Sequence, residues 1–312
     1  MISLKDKIKD FFTQQPLPHS ALQVSSRYFS GIRVAPTDRK LKHHFVFPLP
    51  EDAITASFHN KNIKDSAALE HVAKQGLAKL HISDQRIVFL LPELSQKTFV
   101  LSFDAIPASA KEREQIILFR IKKQVPVLPK DTRLSYTLLI SNAKKKVLAT
   151  IARTAVVKEY ENFFSRIRLR VSAVGVPSHS LYNLIDSEKD KDFMLVDIES
   201  DAFSLMAVTD SEISLYRQKP ITTGFLEPDA IKNQWLDIVQ EVENTAKFVE
   251  DKEKRKIRCL WVRMGAFGST EDILPRLEEM CQCPVKAVES SLTVSLPVEE
   301  KRLLTPLLGQ LS

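Results

Sequence analysis

Apolar and polar positions alternate most clearly between residues 193 and 221, FMLVDIESDAFSLMAVTDSEISLYRQKPI. Phe193 to Ile198 is a continuous apolar run, the pattern of a strand buried on both faces. Phe203 to Val208 returns, and Ser211 to Tyr216 alternates Ser and Glu with Ile213 and Leu215, which predicts a third strand. Glu199-Ser200-Asp201 and Thr209-Asp210-Ser211 are the turns, where short polar side chains bond their own backbone. A weaker copy stands at 21–34, ALQV-SSRY-FSGIRVA. Two such hairpins predict a duplicated fold with two facing halves.

Helical periods separate the predicted strands. Leu69, Val72, Ala73, Leu77 and Leu80 share a face after an Asp65 or Ser66 cap. Ser109 and Glu112 form an S-x-x-E box ahead of a helix to Gln124, whose apolar positions cover more than one face and predict burial on two sides. RIVFLLPE (86–93) and KTFVLSFDAIP (97–107) read as two strands around a polar turn, and LSYTLLIS with KVLATIA as a second pair. A helix over 156–167 leads to the strand RVSAVGVP. Residues 229–250 carry the strongest stripe: Ile231, Trp235, Ile238, Val239, Val242, Ala246 and Val249. IRCLWVRM and PVKAVE are further strands, and KRLLTPLLGQLS is weakly helical. Residues 2–12 predict a short amphipathic helix with Leu4, Ile8, Phe11 and Phe12 on one face. Its Asp6 and Asp10 dilute the lysines, so docking on protein is expected there rather than on lipid. Strands alternating with helices throughout define an α/β class with mixed sheets.

Composition narrows the chemistry. With 312 residues there is enough chain for two cores or one lobed core. Lys and Arg exceed Asp and Glu by 45 to 39, an excess small enough to read as a solvated surface and not a nucleic-acid footprint. No apolar stretch is long enough to span a bilayer, and cytoplasmic residence is the expectation. The three cysteines, Cys259, Cys281 and Cys283, argue against a disulfide framework, and buried inert thiols suit them better than a metal site. His43 and His44 have no acidic or cysteine neighbour and read as a solvated loop. Ser178-His179-Ser180 follows Pro177, where helix capping is the simpler reading than nucleophilic chemistry. The chain has only seven glycines, and no phosphate-cradling GxGxxG or GxxxxGK[ST] occurs.

The order of these pieces resembles the PilM family, actin-like proteins of the type IV pilus assembly platform. ALQVSSRYFSGIRV is similar to that family's first phosphate hairpin, and FMLVDIESDAFSLMAVTDSEISLYR to its second. RIVFLLPELSQKTFVLSFDAIP followed by EREQIILFRIKKQVPVLPKDTRLSYTLL resembles its inserted piece, and LWVRMGAFGSTEDILPRLEEMCQCPV its C-terminal glycine segment. The resemblance implies an actin-like, ribonuclease H-like duplicated fold of two lobes with an inserted α+β subdomain. Residues 1–84 and 156–190 form the first lobe, 85–155 the insert and 191–312 the second lobe. The small clasp subdomain that the family has after Gly224 is missing.

The departures fall on the nucleotide positions. Gln23 stands where the family has a metal-side aspartate, and Ser25, beside Ser26, where it has glycine. Asp197 is kept, but Glu199 replaces a glycine and would repel a phosphate. Phe119-Arg120 replaces a Trp-Glu pair, and Gly265 is what remains of a Gly-Gly pair. The resemblance therefore implies a pseudo-ATPase with no cofactor, ATP–magnesium being disfavoured. The implied function is a scaffold, peripheral at the inner membrane, that binds the cytoplasmic N-terminal tail of a PilN-like single-pass protein. Phe119 and Val125 are candidate partner-binding positions. Self-association and other platform proteins are further contacts that the resemblance allows, and nucleic acid is not among them. The alternatives are a residual ATPase, or the cytoplasmic GspL-like component of a type II secretion system.

Overall fold

The computed structural model describes residues 18–82, 85–125, 127–139, 145–187, 189–221, 228–265, 273–293 and 296–311, with backbone only at 228–234 and 293. The first lobe begins with a meander, β1 (Ser20–Val24), β2 (Tyr28–Val34) and β3 (Leu41–Pro48), followed by helix α1 (Ser66–Leu80) and strand β4 (Arg86–Leu90). Asp65 caps α1 by accepting from the N–H groups of Ala67 and Ala68, leaving fewer orphan donors in its first turn. An insert follows: β5 (Gln96–Phe103), α2 (Ala110–Gln124), β6 (Thr132–Leu139) and β7 (Lys145–Arg153). The first lobe resumes with α3 (Thr154–Arg166), β8 (Arg170–Gly175) and α4 (Pro177–Tyr182). Its sheet runs β3-β2-β1-β4-β8, with β1 antiparallel to β2 and parallel to β4, and β4 parallel to β8.

The second lobe repeats this plan. β9 (Phe193–Ile198), β10 (Ala202–Thr209) and β11 (Glu212–Pro220) form the meander, α5 (Pro228–Glu253) crosses to β12 (Cys259–Met264), and α6 (Ile273–Cys281) crosses to β13 (Val285–Ala287). The order β11-β10-β9-β12-β13 matches the first sheet strand for strand. Every residue of β9 and β10 is buried, as their unbroken apolar runs require of strands covered on both faces. The Asp210-Ser211 turn has positive φ at both residues, 54° and 65°, the geometry that closes a tight hairpin.

The final helix α7 (Val298–Leu311) leaves the second lobe and lies on the first. Leu304, Leu307, Leu308 and Leu311 pack against Ala21, Ile32, Val88 and Leu90. The opposite face of that sheet is covered by α1 and α3, with Phe45, Phe89, Tyr160, Phe163 and Phe164 at its centre. α5 and α6 cover one face of the second sheet, and Leu181 and Ile185 contribute to the cluster on the other. α7 and α4 touch at Gly309, where a Cβ would collide with the Ser180 carbonyl.

Several expectations need correction. RIVFL does not pair with KTFVLSF. β4 is a central strand of the first sheet, parallel to β1, whereas β5 joins the three-stranded sheet β5-β7-β6. The inserted sheet therefore begins at Gln96, not residue 85. Residues 298–311 belong to the packing of the first lobe, and their helix is well formed. α2 buries only Ile117 and Ile121, because a three-stranded sheet offers it one face. His43 and His44 lie in β3, and His44 is bonded to Glu300 at 2.9 Å. Only residues 221–227 separate β11 from α5, too few for a subdomain. The segments 2–12 and GAFGST lie wholly or largely outside the described residues.

Candidate functional site

The two meanders bring their first turns together. Ser25 Oγ accepts from the N–H groups of Arg27 at 3.1 Å and Tyr28 at 3.0 Å, which holds the first turn tight. Ser26 Oγ and Ser200 Oγ, one from each turn, share a hydrogen bond of 2.6 Å. The lobes thus touch where the resemblance places the two phosphate hairpins.

Behind these turns sits a charged cluster from both lobes. Arg263, on β12, has a side chain 0% exposed. Its Nη1 donates to Asp197 Oδ1 at 3.0 Å and to Glu199 Oε1, and its Nη2 donates to the Tyr28 hydroxyl at 2.9 Å. Tyr28 in turn donates to Glu199 Oε1 at 2.7 Å and accepts from Gln23 Nε2 at 3.0 Å. Register explains the pairing, since Arg263 and Asp197 are Cα partners on adjacent parallel strands. Gly265 leaves the room: a Cβ there would run into the Arg263 guanidinium and the Glu199 carboxylate. Its N–H donates to the Ile198 carbonyl at 2.7 Å.

The remaining Arg263 donor, Nε, reaches the carbonyl of Arg302 in α7 at 2.8 Å. Pro306 lies inside that helix and has no N–H for the carbonyl four residues back, which is that of Arg302. The proline frees the acceptor, and the buried arginine takes it. Four protein acceptors thus meet the guanidinium, as a charge without water requires. Burial pushes Asp197 up to about 6 against the downward pull of Arg263. Arg263 is held well above its ordinary value, the carboxylates and Tyr28 outweighing burial.

A second buried network ties the lobes nearby. Glu93, in the link from β4 to β5, accepts through Oε1 from Tyr216, from Ser178 at 3.1 Å and from Gln96 at 3.2 Å. Gln218 Nε2 donates to the Glu93 carbonyl. Burial first, and then the charge of Asp197, pushes Glu93 up to about 8. His179 shares a hydrogen bond of 3.3 Å with Thr98 Oγ1, and burial lowers it to about 4. The Ser178-His179-Ser180 segment is therefore a junction between lobes, and neither serine caps α4. A cavity of about 260 Å³ opens at the cleft mouth, lined by Ser26, Arg27, Asp52, Leu94, Asp201 and Ile221. Burial and the charge of Glu199 raise Asp201 to about 6.

Gln23, Ser25, Ser26, Asp197, Glu199 and Gly265 are thus gathered in one place. Arg120 is not among them. It is exposed on α2, with its guanidinium 5.6 Å from the Phe103 ring centre and a bond of 3.4 Å to the Ser102 carbonyl. On the same helix Phe119 is 62% exposed, with Lys123 over its ring, while Val125 packs partly buried on the core of the insert. Sequence reasoning missed Arg263, Tyr28, Glu93 and Pro306. The available signal was an arginine inside one buried run and two acids closing another. The three cysteines are free, and burial raises Cys259 to about 11 and Cys281 to about 12. Among the described residues no group of three or more His, Cys, Asp or Glu could hold a metal.

A magnesium–triphosphate fits these residues poorly. The Asp197 oxygen that would face a cation already holds a guanidinium, and Glu199 puts a carboxylate where bare backbone N–H groups would cradle phosphate.

No protein-family model and no curated protein matches the sequence. Among solved structures, a PilM–PilN type IV pilus biogenesis complex superposes with TM-score 0.78 at 16% identity, over 95% of this chain and 98% of that one. A Bacteroides thetaiotaomicron protein of actin-like ATPase fold and unknown function gives 0.54 at 11% identity, over 93% and 94%. The cytoplasmic domain of EpsL, an inner-membrane component of the Vibrio cholerae type II secretion system, gives 0.47 at 8%, over 84% and 94%. At these identities the likeness is one of fold: the chain has the duplicated actin-like architecture, in the arrangement found in PilM.

Proposed function

We propose that this chain is a non-catalytic actin-like scaffold of a type IV pilus or related inner-membrane platform. It receives the cytoplasmic N-terminal tail of a PilN-like single-pass partner. One observation carries the loss of nucleotide chemistry: Arg263, buried between Asp197 and Glu199, supplies from within the protein the positive charge that a metal ion would bring. The superposition on a PilM–PilN complex supports the partner class. Among the described residues no helix is long and apolar enough to cross a membrane, so in this reading attachment comes through the partner. The insert offers the receiving surface, with Phe119 exposed on α2, and an apolar anchor of the incoming tail would pack against it.

The test titrates labelled peptides from the cytoplasmic tails of single-span membrane proteins encoded beside this one. Saturable binding by one of them, weakened about ten-fold or more by Phe119→Asp with an unchanged melt, is expected; failure of every tail ends the reading. A parallel melt with 5 mM ATP and magnesium separates the residual-ATPase alternative. A ligand at a hundred times its Kd would add about 2.7 kcal/mol, so an unmoved Tm is expected, and a rise of several degrees lost in Asp197→Ala would favour the ATPase.

A further inference from the structure

An unguarded sheet edge pairs with other strands through its open N–H and C=O groups, so proteins blunt their edges with charge, proline, bulges or cover. Most edges in this molecule are blunted. β3 carries Lys42, ends at Pro48 and meets β2 through a bulge. β8 meets β4 through another and exposes Arg170. β13 is three residues long, and β5 and β11 lie against each other. β6 is different. Its eight residues, TRLSYTLL, pair with β7 without a register shift, contain no proline and hold one charge, Arg133. Among the described strands β7 is its one partner.

The flanking bonds show which backbone groups of β6 face outward. The Asp131 carbonyl accepts from the Thr154 N–H at 2.8 Å, while the Thr132 N–H turns back to the Pro129 carbonyl at 3.2 Å. Bonding alternates along an antiparallel ladder, so Arg133, Ser135 and Thr137 bond β7. The N–H and C=O groups of Leu134, Tyr136 and Leu138 then point away from the sheet. An added strand would bond these three residues. On the α2 side its side chains would meet Leu134, Tyr136 and Leu138, the last 43% exposed. On the other side they would meet Arg133, Ser135 and Thr137, all exposed. The edge thus asks for a segment that alternates apolar and polar positions.

Charge selects among such segments. Residues 96–153 hold twelve Lys and Arg against four Asp and Glu, so the insert alone exceeds the net +6 of the whole chain. The acids around β6 are engaged or offset. Asp131 is paired with Arg153 at 3.0 Å, Glu161 with Arg133 at 3.3 Å and Glu212 with Lys146 at 3.4 Å. Glu112 and Glu114 alternate with Lys111 and Arg113 in the first turns of α2. Lys130 and Lys145, near the two ends of the strand, are exposed and stand in no ion pair among the described residues. A second copy joined through β6 would bring two basic inserts together, which like charge opposes. Lipid and nucleic acid would use the charge and leave the strand edge without a role.

We infer that β6 is a docking edge for an extended, acidic segment of another protein, added as a fourth strand to the insert. This surface is separate from the Phe119 face of α2 and stands whether or not a membrane-protein tail binds there. The test pans a displayed library of random peptides, about ten residues long, on the whole chain, and measures the enriched peptides by fluorescence anisotropy. Enriched sequences should alternate apolar and polar residues and carry net negative charge. Methylating alternate backbone nitrogens of such a peptide should weaken binding about ten-fold or more, with the protein itself unaltered. Leu138→Pro, which removes one outward N–H and leaves the β7 ladder its bonds, should do the same. Lys130→Glu with Arg133→Gln should also weaken it, while Phe119→Asp leaves it intact. Melts confirm that each variant folds. The inference is overturned if no enriched peptide is sensitive to N-methylation, if the sensitive ones carry no net negative charge, or if the charge variant binds them as well as the parent. It is also overturned if ultracentrifugation shows the parent self-associating and Leu138→Pro monomeric, which would make a second copy the occupant.

Discussion

Replacing Arg263 with alanine tests the central cluster directly. The side chain has no solvent exposure and donates to Asp197, Glu199, Tyr28 and the Arg302 carbonyl. Its loss leaves two buried carboxylates facing each other without a cation, and opens a cavity between the lobes. Breaking a buried ion pair from one side costs about 3–5 kcal/mol. At roughly 2–4 °C per kcal/mol for a chain of this size, the melt should fall by about 10 °C. The sign with pH follows from the acids left behind. Asp197 already stands raised to about 6 with the arginine present, and removing the cation raises it further. A carboxyl whose folded value exceeds its unfolded one stabilises the fold at low pH and loses that contribution as pH rises through the folded value. The deficit of Arg263→Ala should therefore be smaller at pH 5.5 than at pH 8. Thermal melts at both pH values, with Asp197→Asn added as a partial rescue, read this out. A deficit below about 1 kcal/mol, or one equal at both pH values, would refute the claim that charge organises the cleft.

Glu93→Gln should flatten the fall in stability with pH. The folded state holds the Glu93 proton up to about 8, so the stabilisation, full below the unfolded value, is lost as pH rises through 8, and a neutral amide keeps the bonds from Tyr216 and Ser178 without titrating. Unfolding midpoints in urea between pH 5 and 8.5 check it; an unchanged slope speaks against a protonated Glu93. Gly309→Ala should cost about 1–3 kcal/mol, because the new methyl meets backbone and not a yielding side chain. An unshifted melt would contradict the close α4–α7 contact. Gly76→Ala, facing the Phe45 ring between β2 and α1, should cost a similar amount by the same measurement.

The meander of the second lobe was readable from residues alone, because strands buried on both faces leave unbroken apolar runs with polar turns between them. The insert boundary was harder to read. RIVFL and KTFVLSF look like a hairpin because a polar turn joins them, yet β4 satisfies its backbone against β1 and β8, and only long-range pairing reveals that. Arg120 was assigned by motif position, and the fold carries α2 away from the cleft. Arg263 stayed hidden because its partners are on β9 and in α7, and a strand register brings them together. The tail read as weakly helical because Pro306 lowers helix propensity, although that proline frees the carbonyl that the buried arginine needs.

The way α7 returns to the first sheet has a consequence for synthesis. The strands of that sheet are all present once Gly175 has been made, but the surface formed by Ala21, Ile32, Val88 and Leu90 has no cover until residues 298–311 emerge. The N-terminal half cannot finish folding on the ribosome ahead of the rest, as separately closed domains do. A sticky hydrophobic face stays open while residues 176–297 are added, and a chain cut short after α6 should be retained by chaperones or precipitate.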